Sequence, residues 1–168
     1  VTLEDKEQLN VSGGYIQSVN PPETLFGFTY FSAMIPPMKP KKCLILGYGN
    51  GTISSLMKRI WGLYGTETTG VDLEVPIFQP GDYRNYDSFF KDDVYDFVMD
   101  SNTLYDYIIV DVYNGGLVEE NIFRYEFVRK LSDLCSLRLS INLFAQDAHR
   151  VSVYDMYLKR EIVKPVFG

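Results

Sequence analysis

Apolar and polar residues fall into an alternating series of blocks along most of this chain. Residues 43–46 form an unbroken apolar run ending in glycines, the pattern of a strand buried on both faces of a parallel sheet. Ile53, Leu56, Met57 and Ile60 then recur at helical spacing, which predicts a helix over Thr52–Trp61 stopped by Gly62. Glu67–Asp72 predicts a second strand. Pro76, Pro80 and Gly81 break the segment that follows. A third strand is expected over 86–90, a short helix over 93–100, and a fully apolar fourth strand over 107–110. Residues 121–135 predict an amphipathic helix with Phe123, Phe127, Leu131 and Leu134 on one stripe. A strand over 137–145, a helix over 151–161 and a last strand over 162–167 complete the series.

The first forty residues differ. Residues 10–18 predict two short strands around a Gly13-Gly14 turn. Residues 26–35 are apolar and of helical length, and Pro36, Pro37 and Pro40 forbid their continuation. The expected fold class is therefore α/β. One domain over 41–168 carries a Rossmann-like, doubly wound, mostly parallel sheet, and residues 1–40 form a hairpin-and-helix extension.

Composition narrows the classes of function. The chain has 168 residues, 46% of them hydrophobic and 23% charged, which is ordinary for a globular domain and excludes disorder as the main state. A net charge of −6 opposes general nucleic-acid binding, which needs clustered Lys and Arg, but does not oppose a cationic small substrate. No apolar run approaches the roughly 20 residues that span a bilayer, so no membrane contact is expected. The first residues show no basic stretch followed by an apolar one, so no secretory leader is expected. Cys43 and Cys135 are far apart and lack a CxxC spacing; they read as buried, reduced thiols of a cytoplasmic protein. The aromatic content of 15% reads as a bulky core.

In a doubly wound sheet, ligands bind beyond the carboxyl ends of the strands. That rule selects the residues just after each apolar run. After the first strand come Gly47, Tyr48, Gly49, Asn50 and Gly51, which open the helix. Glycines there permit a sharp turn and close approach of a ligand to the backbone. Asp72 ends the second strand, where an acid accepts hydrogen bonds from ribose hydroxyls. The spacing Gly-x-Gly-x-Gly lacks the wider third interval of a dinucleotide site, and no Gly-Lys-Ser/Thr follows, so a nucleoside without phosphates is favoured. Asp111 ends the fourth strand beside the glycine loop, placed to orient an amine or take its proton. Asp93 either accepts a bond from an adenine amino group or caps the next helix. Tyr48, Tyr113 and Asn114 are candidates to line the acceptor side.

These segments, together with Gly70-Val-Asp72, Asp92-Asp93 and 105–111, resemble the class I S-adenosylmethionine-dependent methyltransferase fold, in its spermidine-synthase-like branch. Residues 13–18 also resemble the short segment that precedes that fold. The resemblance implies that Gly47, Gly49 and Gly51 line a sulfonium nucleoside, with Asp72 on its ribose, Asp93 on its adenine and Gln17 reaching it from the front segment. It implies that Asp111 stands at the proton-accepting aspartate of aminopropyltransferases. The chain departs from the branch at Asn50 and Asn114, where the synthases carry aspartates, and at Gly115-Gly116.

The resulting expectation is a transferase that uses S-adenosylmethionine or decarboxylated S-adenosylmethionine. It moves a methyl group, or alternatively an aminopropyl group, to a small amine or hydroxyl acceptor, polyamines among them. The alternative is a catalytically inactive spermidine-synthase-like module for interaction or dimerisation, and a homodimer is compatible with either. No metal site is expected, since the lone His149 has no His or Cys cluster around it and the run Asp92, Asp93, Asp96, Asp100 reads as a solvated helix face.

Overall fold

The computed structural model describes residues 8–12, 15–19, 34–49, 51–62, 65–76, 86–114, 117–143, 147, 149–150 and 162–163. The predicted helices over 26–35 and 151–161 lie almost wholly outside these residues, as does the Gly13-Gly14 turn. Two strands, β1 (Gln8–Ser12) and β2 (Tyr15–Val19), pair antiparallel as the hairpin pattern requires.

Among the described residues, six strands build one parallel sheet: β3 (Lys42–Leu46), β4 (Glu67–Asp72), β5 (Ser88–Lys91), β6 (Tyr105–Val110), β9 (Cys135–Ile141) and the two-residue edge β10 (Ile162–Val163). Their spatial order is β10-β9-β6-β3-β4-β5. The chain steps outward from β3 to β4 and β5, then returns across β3 to β6 and steps outward the other way. The reversal leaves a crevice above β3, flanked by the ends of β4 and β6. The order is that of a Rossmann-like α/β sheet.

Strand alternation sends side chains to both faces, and each face has a helical cover. Cys43 and Ile45 of β3, with Tyr107 and Ile109 of β6, pack under α1 (Thr52–Trp61) through Ile53, Leu56 and Met57. Leu44, Leu46, Ile108, Val110, Leu139 and Ile141 face the other way, beneath α2 (Val94–Asp100) and α3 (Tyr125–Leu134). Gly62, at φ 73°, closes α1 by donating its N–H to the Lys58 carbonyl. At the opposite pole from the crevice, the Asp106 carboxylate accepts the N–H groups of Lys41 and Lys42, each at 2.7 Å, and ties the start of β3 to β6.

Three boundaries differ from the sequence pattern. The helix expected over 121–135 splits into a 3-10 turn, Glu120–Phe123, and α3. Arg124 between them is extended (ψ 137°), closing the turn by donating its N–H to the Asn121 carbonyl at 3.2 Å, while Glu119 caps the turn's start by accepting the Asn121 N–H. Phe123 thus leaves the α3 stripe and lies at the core's margin, under the Arg150 guanidinium. The strand expected from residue 137 begins at Cys135, directly out of α3, and ends at Ile141. The sequence pattern also passed over a short antiparallel pair, β7 (Tyr113–Asn114) with β8 (Leu117–Val118), too brief to register as alternation.

Gly47 is where the main chain of the crevice is tightest. Its φ is +81°, and a Cβ built there would lie 2.0 Å from the Asp111 carbonyl oxygen. Gly62 shares the left-handed conformation (φ +73°) but has nothing within 4 Å. Gly47→Ala is therefore expected to cost more than about 3 kcal/mol in urea-induced unfolding, and Gly62→Ala only about 1 kcal/mol.

Candidate functional site

The residues just past four strands are still tied into the sheet's ladder, which fixes the crest. Gly47 and Tyr48 both donate their N–H groups to the Val71 carbonyl, at 2.9 and 3.1 Å. Asp92 donates to Asp72, Asp111 to Leu46 and Asn142 to Val110, at 3.0, 2.8 and 2.9 Å. The side chains at these positions are thus presented by rigid backbone.

The Asp72 carboxylate turns toward the glycine loop. Its Oδ2 accepts the Gly49 N–H at 2.7 Å, and its Oδ1 accepts that of Glu74 at 3.3 Å. Burial raises its pKa; the backbone bonds from Gly49 and Glu74 oppose that rise but do not cancel it. Asp111 stands on the other side of β3. Its Oδ1 accepts the Asn142 Nδ2–H at 2.9 Å. Burial pushes the Asp111 carboxyl up to about 6; Asn142 opposes the rise and the negative charge of Asp72 adds to it. What opposes the rise at each acid is hydrogen bonding, from backbone amides at Asp72 and from Asn142 at Asp111. Tyr113 borders the pair, its phenol raised by burial and then by the charges of Asp111 and Asp147. The Arg150 guanidinium is engaged elsewhere. It forks onto both oxygens of Glu120, stacks 3.9 Å over the Phe123 ring, and keeps one nitrogen 3.7 Å from Asp147.

The structure thus brings together Gly47, Gly49, Gly51, Asp72 and Asp111, with Tyr113 at the margin. Tyr48 departs from its expected place on the acceptor side. It is only 5% exposed, and its ring meets Tyr86 and Phe89 edge-on at 5.5 and 5.8 Å inside the α1-side core. An aromatic ring flanked by glycines finds room inward, which a reading of polarity alone does not reveal. Burial drives its phenol well above the ordinary tyrosine range; Ser54 opposes this, without hydrogen-bonding geometry. Of the two roles considered for Asp93, the structure shows the helix cap: its Oδ1 accepts the Asp96 N–H at 3.1 Å at the start of α2. Gln17 sits in β2 opposite Asn10, and Asn114 in β7 opposite Leu117, while their side chains lie outside the described residues.

Asn142 and Asp147 complete the crest and escaped the sequence reading. Asn142 obeys the same strand-end rule as Asp72 and Asp111; ending the fifth strand at Ile141 instead of residue 145 would have exposed it. Among the described residues, no group of three His, Cys, Asp or Glu is arranged to hold a metal ion, and no helix is long and apolar enough to cross a membrane. Both thiols are free and buried. No family model matches this sequence, and no curated protein is significantly similar to it.

The raised Asp111 fixes a sign for stability. A carboxyl whose folded pKa is about 6 binds its proton more tightly folded than unfolded, where it titrates near 3.8. Its favourable contribution is complete below about pH 4 and is lost as the pH rises through 6. Asp111→Asn keeps an acceptor for Asn142 and removes the buried charge. The variant should be more stable than the wild type by about 1–3 kcal/mol at pH 7.5, with the gap closing toward pH 4, as followed by urea unfolding across that range.

Proposed function

We propose that the crest binds the adenosine-bearing sulfonium S-adenosylmethionine, or its decarboxylated form, and transfers a carbon group from it to a small amine or hydroxyl. The observation that carries this reading is the pair of buried acids with raised pKa values. Asp72 and Asp111 both hold their protons more tightly than free carboxyls, burial being the main cause and the charge of Asp72 adding to the rise at Asp111, beside a glycine loop at the switch point of the sheet. A cationic ligand supplies the missing charge, and a nucleoside supplies hydroxyls for the Asp72 carboxylate, whose lone pairs are not exhausted by Gly49 and Glu74.

Each residue then has a defined task. Gly47, Gly49 and Gly51 keep side chains out of the donor's path. Asp72 holds the ribose. Asp111, steadied by Asn142, orients the acceptor and takes its proton as the new carbon–nitrogen or carbon–oxygen bond forms. The sulfur–carbon bond breaks with its electron pair returning to sulfur, so the donor leaves as a neutral thioether. A base titrating near 6 is matched to this work at neutral pH. Alignment of donor and acceptor supplies most of the remaining acceleration. Methyl transfer is favoured over aminopropyl transfer, since Asn50 and Asn114 stand where a polycation site would carry acids. Free, buried thiols fit a cytoplasmic setting.

Titration calorimetry at pH 7.5 tests the reading. S-adenosylmethionine or its decarboxylated form should bind with a Kd on the order of micromolar, and NAD should not bind. Asp72→Ala should abolish binding while circular dichroism shows the fold intact. Asp111→Asn should keep donor affinity within about tenfold and lower turnover with an amine or catechol acceptor by about a hundredfold or more. Absence of binding by any nucleoside would leave the architecture standing without the transferase.

A further inference from the structure

The residue between the first two glycines of the loop has a task of its own. Gly70 lies inside β4, with no turn and no left-handed φ to call for glycine, and glycine weakens a strand interior. The reason for its bare Cα is the Tyr48 ring. A Cβ on Gly70 would lie 2.5 Å from Tyr48 Cδ2 and 2.8 Å from its Cγ. The far end of the same ring presses on the start of α1: a Cβ on Gly51 would lie 2.8 Å from the Tyr48 hydroxyl oxygen and 3.0 Å from Cε1. The ring is therefore seated between β4 and Gly51, the residue that caps the start of α1, backed by Tyr86 and Phe89. The Tyr48 main chain spans the same gap, donating to Val71 of β4 at 3.1 Å and accepting from the Gly51 N–H at 3.1 Å.

We propose that Tyr48 is a positioning residue: its ring, clamped between Gly70 and Gly51, locks the glycine loop so that the Gly49 N–H points onto Asp72 and the nucleoside site is formed before any ligand arrives. The loop cannot swing outward without withdrawing an aromatic ring from the core. Gly49 and Asp72, 2.7 Å apart, are the two groups whose relation the clamp sets. The effect on a donor rests on the function proposed above; the clamp itself does not.

The test uses Tyr48→Phe, Tyr48→Leu, Gly70→Ala and the double variant Tyr48→Leu/Gly70→Ala in the full chain, with Phe127→Leu on the opposite sheet face as a control. Two quantities are read: amide exchange of Gly49 by NMR, and the Kd of S-adenosylmethionine by calorimetry. Tyr48→Phe should match the wild type in both, because the ring acts and the hydroxyl does not. Gly70→Ala and Tyr48→Leu should each speed Gly49 exchange and weaken the donor by about tenfold or more. Gly70→Ala should have a smaller effect in the Tyr48→Leu background than in the wild type, since leucine keeps Cγ and Cδ atoms there but not the rigid ring that fills the slot. Phe127→Leu should lower the urea midpoint and move neither quantity. The proposal is overturned if folded Gly70→Ala or Tyr48→Leu stays within twofold of the wild type in Gly49 exchange, or if the two effects simply add. If the wild type binds no nucleoside, the functional reading fails and Gly49 exchange alone decides the clamp.

Discussion

Two acids are held at partial burial above the central strand, on backbone that the sheet itself fixes. Burial makes both harder to ionise, and the charge of Asp72 adds to the effect at Asp111. A fold left to stability alone would replace one of them with an amide or an apolar residue. Their persistence as a strained pair is the constraint from which the rest of the crest follows: Asn142 braces one acid, Gly49 braces the other, and the glycines between them admit no side chain that would fill the space.

The layered architecture serves that arrangement. Because the chain reverses its direction of travel across the sheet at β3, the ends of β4 and β6 come to lie on either side of a single loop. The lower pole is pinned by Asp106 on the amides of Lys41 and Lys42, and both faces are sealed by helices. The loop's own rigidity comes from an unlikely source for a surface turn, a tyrosine buried beneath it.

Much of this was legible in the chain. Buried parallel strands write themselves as continuous apolar runs, so β3 with its glycine loop and β6 with Asp111 stood out, and α1 carried both its stripe and its Gly62 stop. What was not legible depended on contacts distant in sequence. Nothing near Tyr48 reveals that Gly70, on the next strand, leaves a slot for its ring. Asp93 is an acid in a strand-end position, and only the Asp96 amide identifies it as a cap. The break at Arg124 separates a 3-10 turn from α3, against an apolar spacing that runs smoothly through it. Asn142 was hidden by a strand boundary placed a few residues late.

The central claim, an acid pair awaiting a cation, is most directly tested by carbon-detected NMR titration of the Asp111 and Asp72 carboxyl groups with and without S-adenosylmethionine. The account predicts that free Asp111 titrates near pH 6 and falls by a unit or more when the sulfonium binds, with protons released to solvent. An Asp111 that titrates near 4, indifferent to the ligand, would contradict it.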